Sequence, residues 1–188
     1  MYITILIIIL AVASYSFGLK AVLDSSYKPS IYSRLIWALI SINSFVGVVA
    51  LHNHTGILAL AGVQLLGSMA MLLASLKYSV RTFGKTEWAC TFLLIVSLVV
   101  WLVFKSPIIN VLISLVAHFI GGVPTIFSGW KKPKSENFLF WFFFSVASIL
   151  ALVNADKSDF RGFVYALYFL IFDSIITLIS ARQFLSRK

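Results

Sequence analysis

Apolar residues run through this chain in long blocks, broken by short clusters of charge. Uncharged stretches cover residues 1–19, 35–51, 55–76, 88–104, 106–130 and 137–155, and 162–181 is broken only by Asp173. A helix needs about 20 mostly apolar residues to cross a bilayer, with about 17 as the lower limit. The pattern therefore predicts seven transmembrane helices. Helices are required because hydrocarbon offers no partner for an open strand edge, and no barrel-like alternation is present.

A second regularity lies over the first. Lys28, Pro29, Leu35, Trp37 and Ser41 return 104 residues later as Lys132, Pro133, Leu139, Trp141 and Ser145. The same offset pairs Ser44 with Ser148, Val49 with Val153, and Val12, Ala13 and Gly18 with Val116, Ala117 and Gly122. A repeat of this kind points to two like halves. It also maps the first apolar stretch onto 107–123, an internal span. With no basic segment ahead of it, that stretch reads as a retained helix rather than a cleaved leader.

Three crossings per unit leave an odd number. Two units joined directly would insert in opposite senses, and one extra helix restores a common sense. The expected architecture is an all-α integral membrane protein in a 3+1+3 plan: two parallel three-helix bundles joined by a connector helix. Residues 1–77 form the first repeat, 78–105 the connector with its loops, and 106–188 the second repeat with a short basic tail.

Composition agrees, at 61% hydrophobic and 11% charged residues. The net charge of +9 would suggest nucleic acid in a soluble protein. Its distribution gives it another meaning. Twelve of the fifteen basic residues fall between spans one and two, three and four, five and six, or in the tail; only Lys105, Lys157 and Arg161 fall on the other side. That bias sets the N-terminus outside and the C-terminus in the cytoplasm, as expected of a plasma (inner) membrane protein. The bilayer is the first partner, a nucleic-acid partner is not expected, and a homo-oligomer remains open. Trp37, Trp88, Trp101, Trp130 and Trp141 fall near predicted span ends, where interfacial aromatics gather.

Residues Pro124 to Lys134 and Ser135, reading Pro-Thr-Ile-Phe-Ser-Gly-Trp-Lys-Lys-Pro-Lys-Ser, resemble the end of the first helix and the following loop of the PQ-loop superfamily. That superfamily includes the SWEET and SemiSWEET sugar transporters. Thr125 stands where the family has Gln, and Lys20-Ala21 where the first half would carry Pro-Gln. The seven-helix plan is similar to that superfamily over the whole chain. The resemblance implies passage of a small polar solute by alternating access between the halves, with aromatics such as Trp37 and Trp141 packing against it. The same fold class also includes peptide-signal receptors, so a non-transporting receptor or scaffold is the alternative, since fold does not fix function.

Ionisable side chains within a span are costly and are functional candidates for that reason. His118 and Asp173 each lie 11 positions from the outer end of their spans, about 16 Å deep at 1.5 Å per residue. At matched depth they could carry a proton or hydrogen-bond a solute; equally, they could simply fasten helix five to helix seven. Asn43, Gln64 and Ser68, with Ser14 as the repeat mate of His118, are the polar groups expected on the first half's side of a central cavity. Gly121, Gly122 and Pro124 crowd helix-weakening residues into one turn and predict either a hinge or a static kink.

Other chemistry finds little footing. Cys90 is the only cysteine, and His52 and His54 have no convincing third ligand, so neither a metal nor another cofactor is expected. Ser114, His118 and Asp173 could in principle make a hydrolytic set, but no nucleophile-turn motif accompanies them, and no enzyme activity is expected.

Overall fold

The computed structural model describes residues 2–25, 30–52, 54–78, 83–158 and 160–185. Lys28, Pro29, Arg81, Arg187 and Lys188, used above for the repeat and the charge bias, lie outside the described residues.

The described residues form seven α-helices: α1 (Tyr2–Leu23), α2 (Ile31–Ala50), α3 (Thr55–Tyr78), α4 (Lys85–Phe104), α5 (Pro107–Lys131), α6 (Phe138–Val153) and α7 (Val164–Leu185). Short 3-10 turns at Pro133–Ser135 and Phe160–Gly162 precede the last two. Six of the helices are long and apolar enough to cross a membrane. The exception is α6, whose 16 residues span about 24 Å at 1.5 Å per residue, short of the 30 Å of a hydrocarbon core. The apolar run 137–155 overstated it because asparagines close both ends. Asn137 caps the start by accepting from the Phe140 N–H at 3.2 Å, and Asn154 is the C-cap.

Helix starts also reach past the uncharged runs. Ser30 caps α2, so Arg34 falls in its first turn. The Glu87 carboxylate accepts from the Gly84 N–H at 2.9 Å, so α4 begins three residues ahead of its apolar run. Between α4 and α5 the chain reverses at Lys105, with φ 51°, and re-enters the helix with Pro107 at its first position, where a missing N–H costs nothing.

In each group of three, the third helix lies between the other two: α3 packs on α1 and α2, and α7 on α5 and α6. Across the middle, α1 meets α6 and α2 meets α5, while α4 packs mainly on α5. Ser41 and Ser145, related by the 104-residue offset, join corresponding helix pairs: Ser41 bonds Ser68 from α2 to α3, and Ser145 bonds Thr177 from α6 to α7. Large apolar side chains on α4, among them Trp88, Phe92, Leu102 and Phe104, face outward. On a chain this apolar such a surface suits lipid.

The ends of the bundle differ. One carries Lys20, Lys77, Lys85, Lys131 and Arg182 at helix termini and is here termed the basic end. Toward the other end the helices close around a continuous core that includes Ile7, Val48, Leu60, Val111, Phe144 and Phe169. Two glycines permit close approach. The Tyr15 ring rests on Gly67, where an added Cβ would stand 2.3 Å from it, and the Phe172 ring rests on Gly122 at 2.2 Å.

Candidate functional site

The tight core does not extend to the basic end. There a cavity of about 370 Å³ opens at the junction of α1, α2, α4, α5 and the start of α6. Its polar side chains include Arg34 and Ser33 of α2, Glu87 of α4, Ser128 of α5, and Glu136 and Asn137 ahead of α6. Trp37, Met71, Phe140 and Trp141 supply its apolar wall.

Two carboxylates enter this space. Ser33 Oγ donates to Glu87 Oε1, while Gly84 N–H holds Oε2. Glu136 is 7% exposed and accepts from Trp141 Nε1 at 3.1 Å and from Ser128 Oγ at 3.4 Å. Burial pushes its carboxyl up to about 7, against the opposing pull of the Trp141 bond, the Arg34 charge and the Ser128 bond. Arg34 also lies over the Trp37 ring, 5.7 Å from its centroid.

Trp37 and Trp141 do not act as interfacial anchors. Both line the cavity, and Trp141 is only 6% exposed. Their indoles point inward because each has a place prepared for it: Gly121 leaves room for the Trp37 ring nitrogen, and Glu136 accepts the Trp141 N–H. Trp88 and Trp130, by contrast, are exposed.

Behind this aromatic wall lies a polar layer. His118 packs against Trp37 with ring centroids 4.5 Å apart, and its Nδ1 lies 3.0 Å from the Tyr168 hydroxyl. The Tyr165 hydroxyl donates to Gln64 Oε1, linking α7 to α3. Tyr15, which packs on Phe140, lies 3.4 Å from Ser68 Oγ, and Ser68 also accepts from Ser41 at 3.1 Å. Asp173 is 3% exposed, and its Oδ2 has no hydrogen-bond partner. An unsatisfied buried carboxylate oxygen is costly, so this position calls for an explanation.

Of the residues singled out from sequence, His118, Asp173, Gln64 and Ser68 thus fall in the interior around the junction. His118 pairs with Tyr168 rather than with Asp173. Ser14 donates to the Phe140 carbonyl at 2.6 Å, tying α1 to α6. Asn43 lies elsewhere. Its amide donates to Ser97, Asn110 and Ser114 at 2.7, 3.0 and 2.7 Å, and Asn110 Nδ2 donates back to the Asn43 carbonyl at 3.2 Å. That buried cluster binds α2, α4 and α5 together and does not line the cavity. Ser114 belongs to it, donating to the Asn110 carbonyl, so Ser114, His118 and Asp173 are not bonded into a set. Gly121, Gly122 and Pro124 lie within an unbroken α5, the glycines filled by Trp37 and Phe172 and the proline lining the cavity.

Sequence reasoning missed Glu87 and Glu136. Each sits at a helix start next to basic residues and was absorbed into the loops. The signal that could have found Glu136 is the pair Glu136 and Trp141, one and a half turns apart at a helix entry. Tyr165 and Tyr168 were hidden among many membrane aromatics. Among the described residues no three His, Cys, Asp or Glu side chains converge as metal ligands.

The chain matches no family model, no curated protein and no solved structure.

Proposed function

We propose that the chain is a seven-span membrane transporter of the 3+1+3 plan, PQ-loop-like in architecture, that moves a small polar solute by alternating access between two parallel three-helix halves. The basic end faces the cytoplasm on this reading, following the positive-inside bias. The observation that carries it is the cavity: a half-open, partly polar space at the meeting of both halves, open at the basic end. A thin aromatic wall separates it from a polar layer holding Asp173 and His118. A solute path through a protein needs such a half-open vestibule and a polar interior site.

The matched helix order in the two triples supports parallel repeats, with α4 as the connector. Asp173 would hold a proton or the solute at the midplane, with His118, Gln64 and Ser68 around it and with Trp37 and Trp141 as the gate. Gly121, Gly122 and Pro124 supply the weak point of α5 against which those aromatics could move.

Uptake by proteoliposomes of radiolabelled sugars, amino acids, nucleosides and small amines tests the reading. Accumulation of at least one above protein-free vesicles, with Asp173→Asn changing its rate or pH dependence, is expected. No uptake across the panel overturns transport. It would favour the receptor alternative, for which a vestibule open at one end is sufficient.

A further inference from the structure

We infer that the cavity at the basic end recognises a small organic cation, its ammonium seated by Glu87 and Glu136 and its body packed against Trp37, Phe140 and Trp141. This deepens the transport reading and rests on it only for the idea that the cavity receives a solute. Four observations converge on a cation.

First, among the described residues the charged groups lining the cavity are two carboxylates and one guanidinium. Second, the partners that hold Glu87 are neutral donors, the Ser33 hydroxyl and the Gly84 N–H. Third, Arg34 is already engaged: it lies over Trp37, and its charge acts on Glu136. An anion would meet two carboxylates for one guanidinium, whereas an ammonium would restore the balance and satisfy lone pairs on both acids. Fourth, two indoles and a phenyl ring form the wall, and aromatic faces attract cations most strongly where water is excluded. A volume of about 370 Å³ suits a solute of amino-acid to nucleoside size.

Binding is linked to a proton. The charged groups around Glu136 are Arg34 from α2, Glu87 from α4 and the exposed Lys134 of the preceding turn; Arg182 of α7 is turned to the Trp130 carbonyl. Only the ionised carboxylate takes the ammonium. A cation entering a protonated site displaces that proton to the solvent at the basic end, one charge for another. With a midpoint of about 7, ionised Glu136 falls from about nine-tenths at pH 8 to about one-tenth at pH 6, so affinity should fall about tenfold.

The test is titration of the purified protein in nanodiscs with phenethylamine, its neutral analogue 2-phenylethanol and the anion 3-phenylpropionate, read by tryptophan fluorescence and calorimetry. Expected are saturable binding of the amine, at least tenfold preference over both analogues, and the tenfold loss from pH 8 to pH 6. Glu87→Gln should weaken the amine about tenfold at either pH, and Glu136→Gln should flatten the pH dependence. A single cooperative thermal transition in each variant shows that it is folded. Equal or tighter binding of either analogue, failure to bind phenethylamine, or a pH dependence that survives Glu136→Gln overturns the inference. Amine binding with no uptake of any solute in the panel would leave the cation site standing and end the transport reading. Uptake of a neutral solute without amine binding would do the reverse.

Discussion

Replacing Glu136 with Gln should change how the protein's stability depends on pH. The side chain is 7% exposed, and burial raises its carboxyl from 4.5 to about 7. A carboxyl with a raised folded value binds its proton more tightly folded than unfolded. Its favourable contribution is fully present below about 4.5 and is lost as pH rises through about 7. Integrating between those values, the wild type should lose about 2.5 kcal/mol of stability from pH 5 to pH 8 through this one group. Gln keeps an oxygen to accept the Trp141 N–H but cannot titrate, so Glu136→Gln should lack that component and be the more stable protein at pH 8. Thermal unfolding in one detergent across pH 5–8, followed by tryptophan fluorescence, gives the comparison directly. Parallel curves for wild type and variant would show that Glu136 is not the buried titrating acid described here.

Further consequences concern the packing around the site. Asn110→Ala removes the acceptor shared by Asn43 and Ser97 and the donor to the Asn43 carbonyl, and should cost about 2 kcal/mol, measured as a lowered thermal midpoint. Gly122→Val forces a Cβ to within 2.2 Å of the Phe172 ring and should cost about 1–3 kcal/mol or more, whereas Gly62→Ala, whose Cβ meets only Phe45 at 3.6 Å, should be neutral or slightly stabilising. Both are read in the same melt. Tyr168→Phe deletes the hydroxyl beside His118 Nδ1 and should lower stability by about 1 kcal/mol while leaving amine binding in the cavity within twofold, checked by calorimetry.

The helices were legible because hydrocarbon imposes a simple rule on sequence, a long run without charge. The rule misjudges the ends. Asn137 and Asn154 are uncharged but close α6, and Arg34 and Glu87 are charged but sit inside first turns. Burial was legible too: polar groups inside apolar runs, His118, Gln64, Ser68 and Asp173 among them, turn into the bundle interior. Azimuth was not. Asn43 faces α4 and α5 because Ser97 and Asn110 await it there, and nothing in the spacing of α2 alone reveals those partners. Trp37 and Trp141 were misjudged for a related reason. An indole near a span end suits the interface in general, and only Gly121 and Glu136, distant or unremarked in sequence, turn these two inward.

Solute passage requires the closed half of the bundle to open, and cysteine accessibility tests that most directly. In a Cys90→Ala background, Thr125→Cys reports the cavity at the basic end, and Val111→Cys, fully buried against Gly47, reports the opposite half. A membrane-impermeant maleimide applied from each side of oriented proteoliposomes should label Thr125→Cys only from the basic end. Val111→Cys should label only from the opposite end, each at a rate that falls when the other half is held open. Full labelling at Thr125→Cys with none at Val111→Cys, under all solutes and pH values tried, would contradict alternating access.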